Sequence, residues 1–361
     1  MPPPSEGRAI VALFCAAFGV GCGPRAPELA KVTSEIIYAA DDRVEPYETD
    51  IAGAQALASA SVVSLVPRAH LSLTSASARI VAPPLGSAEN LCPGERFAEQ
   101  PAAAFCSGVL VDWDLVLTAG HCTRLLPLND FVVVFGYQYR SPNQLDELEV
   151  LEVSSIVVEE LDPPGSLPRR DYAWLRLARP ASSRRSPVAF RAASRPLMRD
   201  EPLVSIGAGG GLPLKVDAGG RVIDERGPIF DYFVTDTDTA HGSSGGGAFD
   251  QELALAGVLA RGASDFVRTD ERCSIAAHAE SAAAAEEFTF AYLAVDGLCG
   301  SEAGAASSLC RPNCGSPCAA LPRETIPDGG CRLAANGAGE AGPCVLLIAA
   351  FVLSCRQKKG R

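Results

Sequence analysis

Three stretches carry side chains that could do chemistry together. "TAHGSSGGGAF", Thr239 to Phe249, sets Ser244 among glycines. Such a turn can take backbone angles closed to other residues. It can also aim amide N–H groups, here those of Gly242 and Ser244, at one point where an oxyanion is held. His121 follows the strand-like run in "CSGVLVDWDLVLTAGHC". An imidazole can take a proton from a serine hydroxyl and return it. Asp171 opens "DYAWLRL". A carboxylate at a strand edge can be buried against the histidine Nδ1 and hold the required tautomer. Together the three would make an activated nucleophile for acyl transfer.

Each residue has a plainer reading. A histidine beside a cysteine can be a satisfied core residue. Asp171 can cap a turn, and Asp162 in "EELDPPG" is a rival carboxylate, but it sits in a proline loop and opens no apolar strand. Ser244 can lie in a linker, yet "LALAGVLARG" soon returns to a strand pattern. Cys106 and Cys122 flank the histidine segment and can pair to close it.

The elements that must position these groups read as strands. "VVSLVP", "FCSGVLVDWDLVLTAG", "DFVVVFGY", "LEVLEVSSIVV", "DYAWLRL", "PLVSIGAG", "YFVTDTD" and "ALAGVLARG" are all β-like. No βαβ rhythm appears, which argues against a parallel sheet. One helix signal stands late, over Ile275 to Val295. The pattern predicts an all-β fold of paired antiparallel barrels with a C-terminal helix.

The chain has 361 residues, and 47% of them are apolar, enough for a substantial core. A net charge of −12 argues against nucleic acid as the main partner. The 13 cysteines favour disulfides in an oxidising compartment. Cys92 with Cys273 is a further candidate pair. The tail reads C-x3-C-x3-C with no nearby histidine, which speaks against zinc. No Asp-rich calcium loop of known spacing appears. The reading requires no metal and no cofactor.

The order His121, Asp171, Ser244 is that of the chymotrypsin constellation. "TAGHC", "DYAWLRL" and "GSSGG" resemble that superfamily's histidine, aspartate and serine motifs. "IIYAADDR", "CPGERFAEQPAAAFCSGVLV", "GLPLK" and "DTDTAHGSSGGGAF" resemble segments of bacterial glutamyl-endopeptidase-like proteases and their trypsin-like relatives. The resemblance spans roughly Ile36 to Val267. It implies two six-stranded barrels with the site in the cleft between them, His121 and Asp171 in the first barrel and Ser244 in the second. The implied activity is a serine endopeptidase acting on protein or peptide substrates, as a monomer.

The departures are specific. Ser243 stands where animal trypsins carry Asp, so a buried new N-terminal amine has no partner there. "RIV", Arg79 to Val81, is then a strand and not an activation site. Gly247 replaces a proline. His241 replaces a glycine and is expected on the rim of the site, since one imidazole already suffices. The resemblance places a specificity pocket at Asp238, Leu259, Arg261 and Gly262. Asp238 would attract Lys or Arg side chains, whereas Arg261 could pair with it and cancel its charge. Leu259 stands where a glutamate-preferring enzyme has His. Basic and small or mixed preferences both stay open.

The ends carry addresses. Residues 1–22 fit a signal peptide, with cleavage and lipidation at Cys22 both open. Residues 23–35 are a candidate propeptide, 36–299 the protease domain and 300–330 a Cys-rich stalk or disulfide knot. Residues 331–361 combine Cys331, a small-residue spacer, "CVLLIAAFVLSC" and "RQKKGR". They resemble a myxobacterial-type C-terminal sorting signal processed at Cys331. A retained membrane tail is the alternative. Either places the protein outside the cytoplasm, at the cell surface or outer envelope or secreted, with the tail or its processed anchor at a membrane. An envelope-anchored binding or adhesion protein on an inactive scaffold is the competing function.

Overall fold

The computed structural model describes residues 41–310, apart from 75–76, 228, 263–265, 280–285 and 305–306, together with the backbone of 37–38. The expected signal peptide, the 23–35 segment, Cys331 and the C-terminal tail lie outside the described residues.

Seven strand segments form the first sheet: β1 (Val62–Pro67), β2 (Cys106–Asp112), β3 (Leu115–Thr118), β4 (Phe131–Phe135), β5 (Glu149–Leu151), β6 (Val153–Leu161) and β7 (Asp171–Leu177). Their order is β5-β4-β1-β2-β3-β7-β6, antiparallel throughout. The two edges, β5 and β6, are separated in the chain only by Glu152. They are halves of one broken strand that pairs with both sides of the sheet, and this curls it into a barrel.

The second sheet repeats the device. It contains β8 (Val204–Gly207), β9 (Lys215–Asp217), β10 (Val222–Asp224), β11 (Tyr232–Thr235), β12 (Gly247–Phe249), β13 (Leu255–Arg261) and β14 (Glu286–Phe290). Their order is β9-β8-β12-β13-β14-β11-β10. The edges β9 and β10 are again neighbours in the chain. Counting each broken strand once gives the two six-stranded antiparallel barrels of the chymotrypsin-like architecture.

The burial explains why these strands are nearly continuous apolar runs. Alternate residues of one strand face opposite sides, and here both sides are buried. Leu175 and Leu177 of β7 fill the first barrel with Leu65, Leu110 and Phe131. Tyr172 and Trp174, of opposite parity, fill the space between the barrels with Val109, Leu117, Ile206, Phe249 and Val258. Ala256 and Leu259 of β13 both face the second barrel's core with Phe233 and Phe288, because the register with β12 shifts between Leu255 and Gly257. "RIV" lies largely in a short strand, Ala78–Ile80, as expected.

The late helix is shorter and later than its sequence pattern predicts. Instead of a helix over Ile275 to Val295, the chain makes a strand at Ser274–Ala276, then β14, and only then a helix, Ala291–Gly300. Phe288 and Phe290 take the two-residue period of a strand facing the core. Ala291, Ala294, Val295 and Leu298 take the helical period and pack between the barrels. Trp174 Nε1 donates to the Ala294 carbonyl at 2.9 Å, so the buried indole keeps its hydrogen bond. In the last turn of the helix, Cys299 is bonded to Cys310, the first cysteine of the expected stalk.

Candidate active site

His121 follows β3 on the turn Ala119-Gly120, and Cys122 begins a single helical turn, Cys122–Leu125. The turn lies against the start of β7. A Cβ on Gly120 would stand 2.5 Å from the Glu160 carbonyl oxygen and 3.2 Å from Asp171 Oδ1, so a larger residue would push the loop off. This close approach lets Asp171 hold His121 twice. His121 N donates to Asp171 Oδ1 at 3.0 Å, and His121 Nδ1 lies 3.0 Å from Oδ2. With the proton on Nδ1, Nε2 presents its lone pair. The Asp171 side chain is only 3% exposed, against 29% for His121. Water is thereby kept from the carboxylate while the imidazole stays reachable.

The rival Asp162 is used elsewhere. Its carboxylate accepts the Arg170 backbone N–H at 2.8 Å and Arg170 Nε at 3.0 Å. Burial pushes its carboxyl up, but the Arg170 hydrogen bonds and charge outweigh that, leaving it below the ordinary range.

Ser107 on β2 ties the serine loop to the first barrel. Its N–H donates to the Ser244 carbonyl at 2.7 Å, and its hydroxyl donates to the Gly242 carbonyl at 2.7 Å. Its own carbonyl accepts Thr118 Oγ1 at 2.6 Å. Neither Ser107 nor Thr118 was expected from sequence to have a part. The available signal was a polar residue inside the otherwise apolar "CSGVLV".

Gly245 completes the contact. Its φ is +82°, and a Cβ there would meet Thr118 Oγ1 at 2.2 Å and the Ser107 carbonyl oxygen at 2.3 Å. The bonded pair Cys106–Cys122 lines the same wall. Cys122 Sγ is 3.8 Å from His121 Nε2 and 3.7 Å from the Ser244 carbonyl oxygen. Cys106, His121 and Cys122 thus cluster closely, but both sulfurs are spent in the disulfide and cannot ligate a metal as thiolates.

The turn before Ser244 orients its peptides. The His241 carbonyl accepts the Gly210 N–H at 2.6 Å. In a planar trans peptide the N–H points opposite to the carbonyl, so the Gly242 amide is directed away from Gly210. The Ser243 carbonyl accepts the Gly246 N–H at 2.7 Å, which directs the Ser244 amide likewise out of the turn. Ser243 is buried, its hydroxyl accepting the Ala240 N–H at 3.4 Å. His241 projects to the rim, with Nε2 at 3.3 Å from Glu89 Oε1.

The expected pocket residues go separate ways. Asp238 is buried; its Oδ2 accepts the Asp42 N–H at 3.1 Å, and its N–H donates to Asp217 Oδ2 at 2.6 Å. Burial, then the Asp42 hydrogen bond and charge, raise the Asp217 carboxyl well above its ordinary value. Leu259 is buried in the second barrel, and its carbonyl accepts the Gly245 N–H at 2.7 Å. Gly262, just after β13, is buried. The Arg261–Asp238 pair considered for this pocket is replaced by others. Arg261 Nη1 lies 3.5 Å from Asp171 Oδ2, and Nε 2.5 Å from Glu287 Oε2.

Two peripheral segments meet beside the serine loop. Residues 68–105, between β1 and β2, are joined to the segment after β13 by Cys92–Cys273. A cavity of about 280 Å³ lies there, lined by Leu91, Arg96, Gly209, Ala240, Phe266 and Ala276 among others.

Residues 106–258 match the trypsin-like peptidase domain family. The matched stretch runs from β2 into β13 and contains His121, Asp171 and Ser244. Among solved structures, an inactive form of Rv3671c from M. tuberculosis H37Rv carrying a serine-to-alanine change is 16% identical. The match covers 75% of this chain and 98% of that one, with a TM-score of 0.40. A second structure, the Rv3671c protease in an inactive form, is 15% identical over 73% of this chain and 98% of that one, with a TM-score of 0.39. No curated protein matches the sequence.

Proposed function

We propose that the protein is a serine endopeptidase whose nucleophile is Ser244, whose general base is His121 and whose orienting carboxylate is Asp171. The observation that carries this reading is the double hold of Asp171 on His121, at 3.0 Å to the backbone N–H and 3.0 Å to Nδ1. It leaves Nε2 as the proton acceptor. In the proposed cycle Ser244 Oγ attacks the substrate carbonyl carbon while Nε2 takes its proton. The oxyanion is received by the Gly242 and Ser244 amides, whose outward direction supports the role. Collapse breaks the C–N bond, and the imidazolium protonates the leaving amine. Water, deprotonated by His121, then attacks the acyl carbon; the bond to Ser244 Oγ breaks, and the imidazolium returns the proton to Oγ.

The proposed setting is extracytoplasmic. Three disulfides support it. The tail from Cys331 is proposed to retain the protein at the envelope. The deciding experiment labels the folded, processed protein with a fluorophosphonate beside Ser244→Ala. Labelling of the wild type alone supports the reading. Labelling of neither gives the binding-protein function precedence.

A further inference from the structure

We infer that Asp238 is a positioning residue for this reaction and not a receptor for substrate charge: with Arg96 it holds the Asp41–Asp42 peptide and so braces the serine loop on the chain's N-terminal segment. The inference rests on the reading of His121, Asp171 and Ser244 given above.

The brace runs through one peptide unit. Arg96 Nη1 donates to the Asp41 carbonyl at 2.6 Å, and Nη2 donates to the Arg43 carbonyl at 2.7 Å. The Asp41 carbonyl and the Asp42 N–H belong to the same planar trans peptide and point opposite ways. That N–H donates to Asp238 Oδ2 at 3.1 Å. A cation at one end of a peptide and a carboxylate at the other polarise it in the same sense, so each bond strengthens the other. A lysine ammonium lacks the planar fork that spans both carbonyls.

The segment is fixed just beyond this point. Val44 exchanges both backbone hydrogen bonds with Val216 of β9, at 2.9 and 3.0 Å. Glu45 pairs with Lys215 at 3.2 Å, both side chains buried. From this base the brace reaches the root of the serine loop. Asp238 precedes Ser244 by six residues. Its own N–H donates to Asp217 Oδ2, at the end of β9, at 2.6 Å. Asp238 is therefore held at its backbone and at its side chain by groups outside the loop. A carboxylate that accepts the Asp42 N–H in a residue only 5% exposed presents little charge to a substrate side chain.

The test compares inactivation rates with two phosphonate probes, one carrying a basic and one a small neutral side chain. The proteins are wild type, Asp238→Asn, Asp238→Ala and Arg96→Ala, each well below its melting temperature. Asp238→Asn keeps an oxygen that accepts the Asp42 N–H and is expected to react within about threefold of wild type. Asp238→Ala and Arg96→Ala each lose one end of the brace and are expected to react roughly tenfold more slowly with both probes. The ratio of basic to neutral rates is expected to stay the same throughout. A selective loss of the basic probe in Asp238→Asn overturns the inference, because it makes the carboxylate a receptor for substrate charge. A wild-type rate in either alanine variant also overturns it, as does Asp238→Asn reacting as slowly as Asp238→Ala. Should Asp238→Ala fail to fold, Arg96→Ala decides, since that side chain is 46% exposed. Wild-type protein that neither probe labels overturns the triad reading itself, an outcome distinct from all of these.

Discussion

His241 Nε2 stands 3.3 Å from Glu89 Oε1, joining the serine loop to the segment inserted between β1 and β2. The His241 hydrogen bond holds the Glu89 carboxyl below its ordinary value of 4.5, against an opposing effect of partial burial. A depressed carboxylate contributes stability above the unfolded value and loses it as pH falls through the folded one. The pair is half exposed, so Glu89→Gln should cost only a few tenths of a kcal/mol. Thermal melts should show that difference at pH 7 and show it shrinking as the pH falls below 4.5. Labelling of Ser244 should persist in the variant; its loss would move His241 from the rim into the catalytic machinery.

The Cys92–Cys273 bond closes a sequence separation of 181 residues. Loop closure of this length in the unfolded chain is worth about 5 kcal/mol at most, and less where strain or residual structure intervenes. The joint also has backbone hydrogen bonds, Cys92 N to Ser274 O and Ser274 N to Asn90 O, each 2.8 Å. Cys92→Ser with Cys273→Ser should therefore lower the urea midpoint clearly while the folded variant still labels. An unchanged midpoint would show that the strap contributes nothing to stability.

Gly245→Ala tests the contact between the barrels beside Ser244. The new methyl group would collide with Thr118 Oγ1 and the Ser107 carbonyl at a backbone φ of +82°. Both partners are buried and hydrogen-bonded, so the loop must move. Destabilisation of about 3 kcal/mol or more is expected, with labelling slowed by roughly a hundredfold from misplacement of Ser244. Wild-type labelling in this variant would mean that Ser244 is not positioned by that contact.

Asp296, on the helix Ala291–Gly300, carries a burial cost without a compensating cation. Burial raises its carboxyl from 3.8 to about 6. The folded protein therefore holds this proton more tightly. The contribution is fully present below pH 3.8 and is lost as pH rises through about 6. Asp296→Asn should stabilise at pH 7 by about 1 kcal/mol, because water still screens part of the group. The gain should vanish below pH 4 in melts followed by circular dichroism. A destabilised variant at pH 7 would show that the carboxylate has a favourable role.

Much of the fold was legible because both faces of these strands are buried. "VVSLVP" and "DYAWLRL" are strands end to end, since a two-sided core demands unbroken apolar runs. The helix boundary was not legible. "EEFTF" and "AYLAVDGLCG" are both apolar-rich, and only the packing of Phe288 and Phe290 into the second barrel separates strand from helix.

Residue types and their neighbours were enough to pick out the side chains that could act: a serine among glycines, a histidine beside a cysteine and an aspartate opening a strand. Local chemistry sets what such groups can do, and local chemistry is written in residue type. The tertiary structure decided which groups meet. Asp171 rather than Asp162 reaches His121, because Gly120 admits the close approach and Arg170 occupies Asp162. Ser107 holds the serine loop from 137 residues away in sequence. Arg261 lies beside Asp171 and is not paired with Asp238, because a one-residue bulge reverses the face of a strand.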